Sequence, residues 1–115
     1  MEAAPRFLQG VFPFKGSGLD KPMPLDGKLA YTVPSDKRAQ LIYLRAGNSS
    51  AELVYLVLTR DGRPMRYFPV GAKASDHVAL VVTEDVFPDT RLDVLIAAPS
   101  GASGDLVLDI GLLEI

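Results

Sequence analysis

The sequence predicts an all-β domain: a two-sheet antiparallel β-sandwich of jelly-roll type with an extended N-terminal arm. Three observations carry that expectation. Nine prolines and ten glycines divide the 115 residues at short intervals, and the pieces between them have the length of strands. Those pieces concentrate β-branched and aromatic residues, and no window of ten or more carries a capped helical period. Seven or eight short strands without helices must then close as two packed sheets, because one sheet cannot bury its own apolar face. A closed barrel is the lesser alternative.

The length allows a single domain, with residues 1–27 as the arm and 28–115 as the sandwich core. In the arm Phe7, Leu8, Val11, Phe12 and Phe14 are apolar, while Pro13, Gly16, Gly18, Pro22 and Pro24 interrupt any long ladder. The arm is expected to lie over the sandwich, with one edge strand at 7–14. Its phenylalanines need burial against their own domain or a neighbouring subunit. Strands follow at 28–33, closed by Pro34, and at 40–45, closed by Gly47-Asn48. Residues 52–59 run into Asp61-Gly62, a strong hairpin signal. Pro69 inside 65–70 argues for an edge position or a bulge. Segments 77–83, 90–97 and 105–115 complete the series. Tyr31, Tyr43, Tyr55 and Tyr67 recur every twelve residues, but their flanks do not repeat, so the spacing is that of strands and turns.

A sandwich strand is apolar toward the core and polar toward water. Three segments break that rule. In 52–60, Leu53, Tyr55 and Val57 oppose Val54, Leu56 and Leu58; in 77–83, Val78, Leu80 and Val82 oppose Ala79 and Val81. In 105–115, Leu106, Leu108, Ile110 and Leu112 alternate with Val107, Asp109, Gly111 and Leu113. The mean hydropathy of +0.18 traces to these second faces. The arm or another copy of the chain is expected to cover them, so the sequence points to a homo-oligomer.

Charge and composition exclude several classes. Twelve basic and fourteen acidic side chains give a net charge of −2, which argues against a nucleic-acid partner. The longest apolar run, 53–58, is far short of a membrane-spanning helix, so no membrane partner is expected. Residues 1–6 lack the basic-then-apolar pattern of a leader, which suggests the cytoplasm for a full-length chain. With no cysteine there is no disulfide framework, thiolate metal site or cysteine nucleophile. Residues 1–73 hold eleven basic and six acidic groups and 74–115 hold one and eight, an asymmetry that could serve a subunit interface.

Catalysis has little to build on. His77 is the sole histidine, and Asp76 beside it points to the opposite face of an extended strand. No Gly-x-Ser-x-Gly elbow and no phosphate-binding loop is present. Glu84, Asp85 and Asp89 cluster around Phe87-Pro88 in a surface turn, where acids are ordinarily solvated. Oxygen ligands suit calcium, and Asp20 and Asp26 with Asp105 or Asp109 could converge, so a structural calcium site is the one cofactor alternative. Carbohydrate recognition uses an aromatic ring against the sugar's apolar face and planar polar groups for its hydroxyls. Tyr43, Arg45 and Asn48 supply a ring, a guanidinium and an amide at one strand end, and Arg66-Tyr67 a similar group. Tyr43 and Arg45 share a strand face. The competing structural reading makes Tyr43 core, Arg45 a rim residue and Asn48 a turn former.

At these residues the chain resembles the galactose-binding-like β-sandwich modules, in particular carbohydrate-binding modules attached to polysaccharide enzymes. The order Arg45-Ala46-Gly47-Asn48-Ser49-Ser50, then 54–58 before Asp61-Gly62, then His77-Val78-Ala79-Leu80, matches the pattern of that family. The closing Leu106-Val107-Leu108-Asp109-Ile110-Gly111-Leu112 matches too. The resemblance covers roughly residues 38–115 and implies a jelly-roll sandwich with a sugar-binding role. The chain departs from the family in having no tryptophan, in Ala46 where a tyrosine is usual, and in a 100–104 loop without asparagine. Two functions are therefore expected in order: a non-catalytic carbohydrate-binding module acting through Tyr43, Arg45, Asn48, Arg66 and Tyr67, or an assembly protein that oligomerises through its apolar second faces and arm.

Overall fold

The computed structural model describes residues 3–115; Met1 and Glu2, part of the stretch read for a leader, lie outside the described residues. Its strands are β1 (Ala4–Lys15), β2 (Met23–Pro24), β3 (Tyr31–Thr32), β4 (Ala39–Asn48) and β5 (Val54–Arg60). Then come β6 (Arg63–Val70), β7 (Ser75–Ala79), β8 (Asp85–Val86), β9 (Arg91–Ala97) and β10 (Ser103–Glu114). All pairings are antiparallel. The first sheet has the order β1-β10-β4-β7, with β8 beside β4, and the second β2-β9-β5-β6, with β3 beside β9. The protein is an all-β two-sheet sandwich. The chain crosses between the sheets repeatedly, and the pairs nest: β1 with β10, β2 and β3 with β9, β4 with β7 and β8, β5 with β6.

The arm contains the edge strand expected at 7–14 and extends it in both directions. Its first part is β1, a twelve-residue edge strand of the first sheet. Pro5 and Pro13 do not break the ladder, because they lie eight residues apart and turn the same side of the strand outward. Phe12 and Phe14 are buried in the core, whereas Phe7 stays 53% exposed. Residues 16–25 then cross to the second sheet, anchored by the Gly16 and Gly18 amides on the carbonyls of Ala102 (2.6 Å) and Ala98 (2.8 Å). The expected strand at 28–33 is shorter, because Asp26 caps a 3-10 turn at Gly27–Leu29 and leaves only β3. Leu29 and Val33 are nonetheless fully buried.

The core lies between the inner faces. Leu41, Leu44, Leu106, Leu108, Ile110 and Leu112 of the first sheet meet Val54, Leu56, Leu58, Leu92 and Val94 of the second. Two bulges set which residues point outward. Ile42 is the extra residue of β4 opposite Gly111 and Leu112, so Leu41 and Leu44 both face inward while Tyr43 and Arg45 face out. Met65 is the extra residue of β6 opposite Leu58 and Thr59. The Asp61-Gly62 hairpin has φ of 49° and 80°, the paired positive values of a two-residue type I′ turn. Pro69 lies on β6, an edge strand, as a residue without an N–H requires.

The surplus apolar faces resolve differently in each segment. Val57, on the outer side of β5, is buried between Tyr67 and Leu95, its register partners. The third segment leaves Val107 exposed on the outer side of β10. The second stops early: β7 ends at Ala79, and Val81 and Val82 are exposed in the following loop at 95% and 71%. That loop is held by Glu84, which pairs with Arg60 (3.0 Å) and Arg66 (2.5 Å).

One end of the sandwich is closed by a buried carboxylate. Glu114 accepts a hydrogen bond from the Tyr31 hydroxyl at 2.5 Å and pairs with Arg6 at 3.2 Å. Burial first, and then this bond, hold the Tyr31 phenol above its ordinary value. Below a pH of about 10 the phenol is neutral in both folded and unfolded chains, and the bond contributes fully. Above it the unfolded chain ionises first, so stability falls. Tyr31→Phe removes that alkaline loss: between about pH 9 and 11 the urea midpoint of the wild type should fall relative to the variant. Parallel pH profiles would contradict the assignment.

Candidate functional site

The outer face of the first sheet carries the densest group of chemically capable side chains. Register places Asp109 of β10, Arg45 of β4 and His77 of β7 in one row across three strands. Tyr43 sits in the next row, beside Gly111. That glycine is obligatory for the ring: a Cβ there would lie 2.1 Å from Tyr43 Cε2. With the ring laid on Gly111, the Tyr43 hydroxyl donates to Asp109 Oδ1 at 3.1 Å. The Arg45 guanidinium carbon lies 5.5 Å from the Tyr43 ring centroid, and His77 meets the ring edge-on at 6.1 Å. Desolvation, and then the bond to Asp109, raise the Tyr43 phenol above its ordinary value.

A second glycine opens the space beside this cluster. In the row Val107–Gly47–Ser75 the central position has no side chain, and its neighbours' Cβ atoms stand 3.7 and 3.9 Å from where one would be. The result is an open trough of ≈ 770 Å³ with Gly47 in its floor, walled by Arg45, Ser75, His77, Val107 and Asp109. Its chemistry is a guanidinium, an imidazole, a carboxylate and a hydroxyl beside one aromatic ring.

The five residues singled out from the sequence do not converge. Tyr43 and Arg45 share this face. Asn48 is buried at 3% exposure: its amide nitrogen donates to the carbonyls of Glu52, Gly71 and Val70, and its oxygen accepts from the Ser50 amide. It is a staple between two loops. Arg66 lies on the second sheet, committed to Glu84. Tyr67 lies on the outer side of that sheet, 60% exposed and 6.0 Å from Tyr55. Sequence reasoning weighed His77 only as a catalyst and Asp109 only as a metal ligand; the cross-strand register that unites them with Arg45 links segments thirty or more residues apart. Outward alternation from Arg45 and the paired glycines Gly47 and Gly111 were the signals available.

Asp76 and His77 project to opposite sides of β7, as their partners Ala46 (core) and Arg45 (outer face) require. Of the acids considered for calcium, Asp26 caps the 3-10 turn and Asp109 accepts from Tyr43; of the acids around Phe87-Pro88, Asp85 binds Arg38 and Gln40, and Asp89 accepts from Ser35. Among the described residues no three His, Asp or Glu side chains converge to hold a metal ion. Among the described residues no helix is long and apolar enough to cross a membrane. A scan against protein-family models and a search of curated proteins found no match to this chain.

Proposed function

We propose that the protein is a non-catalytic binding module that takes a carbohydrate on the outer face of its first sheet, across Tyr43, Arg45, His77 and Asp109. The observation that carries this reading is their convergence beside the open trough over Gly47. Planar polar groups at fixed spacing suit vicinal hydroxyls, and the half-exposed Tyr43 ring offers an apolar contact. The nested strand pairing supports a jelly-roll classification of the sandwich. Asn48, Arg66 and Tyr67 have no part in this site.

Calorimetric titration with a panel of mono- and oligosaccharides tests the reading. Binding is expected with at least one glycan, and Arg45→Ala should weaken it about tenfold, the value of one charge-assisted hydrogen bond. Gly47→Val should abolish it by filling the trough, with thermal stability kept because the outer face is open there. No heat with any glycan would overturn the proposal. A second reading, an assembly role, is favoured by the exposure of Phe7, Val11 and Val107 on neighbouring strands of that same face.

A further inference from the structure

Several of the sandwich's edges are short or guarded. β7 has five residues, and β6 carries Pro64 and Pro69 with Arg63 and Arg66. β1 differs: it is twelve residues long, forms the rim of the first sheet, and its middle block Phe7-Leu8-Gln9-Gly10-Val11 has neither charge nor proline. Its peptide groups have a definite direction. Gly16, just past its end, donates to Ala102 and accepts from Gly101, so even-numbered residues face β10. Pro5 and Pro13, which have no N–H to give, are odd-numbered and agree with that phase. The N–H and C=O groups of Phe7, Gln9 and Val11 therefore face away from the sheet, with no strand among the described residues beyond them.

We propose that β1 pairs antiparallel with β1 of a second copy, about a two-fold axis through Gln9. The sequence of the edge is self-complementary in that register. Gln9 faces Gln9, Phe7 faces the second copy's Val11, and all their amides and carbonyls find partners, six hydrogen bonds by the antiparallel rule. Pro5 stands opposite Pro13, where neither ring has an N–H to give, so the ladder ends at Phe7 and Val11 and the two proline carbonyls stay with water. On the inner side Leu8 lies opposite the second copy's Gly10, whose place is covered by its own Phe12 ring. Phe7 and Val11, 53% and 61% exposed, become cross-strand neighbours, which is how such a pair stabilises a sheet. The edge is about 40 Å long and about 10 Å deep, so pairing buries roughly 800 Å² in total, an area typical of weak, reversible association. The dimer therefore forms and dissociates with concentration. The inference is independent of the carbohydrate reading, although the pairing would place two troughs on one continuous face, five strand spacings or about 24 Å apart.

Sedimentation velocity of the full chain without glycan, from about 10 µM to 1 mM, should show reversible dimerisation in the weak range expected for this area. Gln9→Lys sets two like charges on the axis and should leave a monomer of unchanged melting temperature, since residue 9 is exposed. Mixing Gln9→Lys with Gln9→Glu should restore the dimer as a heterodimer. Because the chain has no cysteine, Gln9→Cys should oxidise to a covalent dimer much faster than Val107→Cys, a likewise exposed site on the neighbouring strand β10, off the axis. A monomer at 1 mM, a dimer that survives Gln9→Lys, or equal cross-linking of the two cysteine variants would each overturn the proposal.

Discussion

Gly16→Ala should destabilise the protein by roughly 3 kcal/mol or more, lowering the melting temperature by about 12 °C. The reason is steric and lies in the backbone. A Cβ at Gly16 would stand 2.0 Å from the Pro99 carbonyl oxygen and 2.8 Å from that of Ala98. Neither atom is the tip of a flexible side chain, so relief requires the whole crossing segment to lift. Lifting it breaks the Gly16 and Gly18 amide bonds to Ala102 and Ala98, and loosens the hold on buried Phe14 and Leu25 at either side. Gly27→Ala is the control: nothing lies within 4 Å of a Cβ there, so its effect should stay within about 0.5 kcal/mol. Equal melting temperatures for the two variants would show that the crossing is not packed as described.

Asn48→Asp should cost as much, about 3–5 kcal/mol by urea denaturation, and Asn48→Ala about 3 kcal/mol. The Asn48 amide shares its two N–H bonds among three carbonyls at 2.8, 3.1 and 3.3 Å, and its oxygen takes the Ser50 amide at 2.9 Å. Alanine leaves those groups buried without partners. Aspartate is worse, because its oxygens would face the carbonyls with acceptors only and bring a charge into a site of 3% exposure. Arg45→Ala, on the open face, should by contrast change stability by less than about 0.5 kcal/mol. An Asn48→Ala protein with wild-type stability and lost glycan binding would return Asn48 to the ligand site.

The two-sheet architecture was legible in the sequence because it follows from local chemistry. Punctuation by proline and glycine, the Asp61-Gly62 turn and the edge proline Pro69 all act within a few residues. The failures share a cause. The strand at 28–33 was cut short by the Asp26 cap, and the segment 77–83 ended at Ala79 because its later residues are held by Glu84 and two distant arginines. The arm's prolines looked like breakers; only its place at the rim, with Pro5 and Pro13 facing outward, makes them compatible with a twelve-residue strand. The site was half legible. Tyr43 and Arg45 share a face by alternation, but their companions His77 and Asp109 come from strands whose adjacency depends on topology. Asn48 and Arg66 were misread because polar side chains at strand ends serve burial and bridging as readily as ligands, and sequence alone does not show which carbonyl or carboxylate they meet.

The claim that the outer face of the first sheet is a carbohydrate-binding surface is tested most directly by backbone and side-chain NMR shifts during glycan titration. The account predicts saturable shifts concentrated at Tyr43, Arg45, Gly47, His77 and Asp109, with Arg66, Tyr67 and the buried Asn48 side chain unmoved. Shifts centred on Tyr67 and Arg66, or none with any glycan, would contradict it.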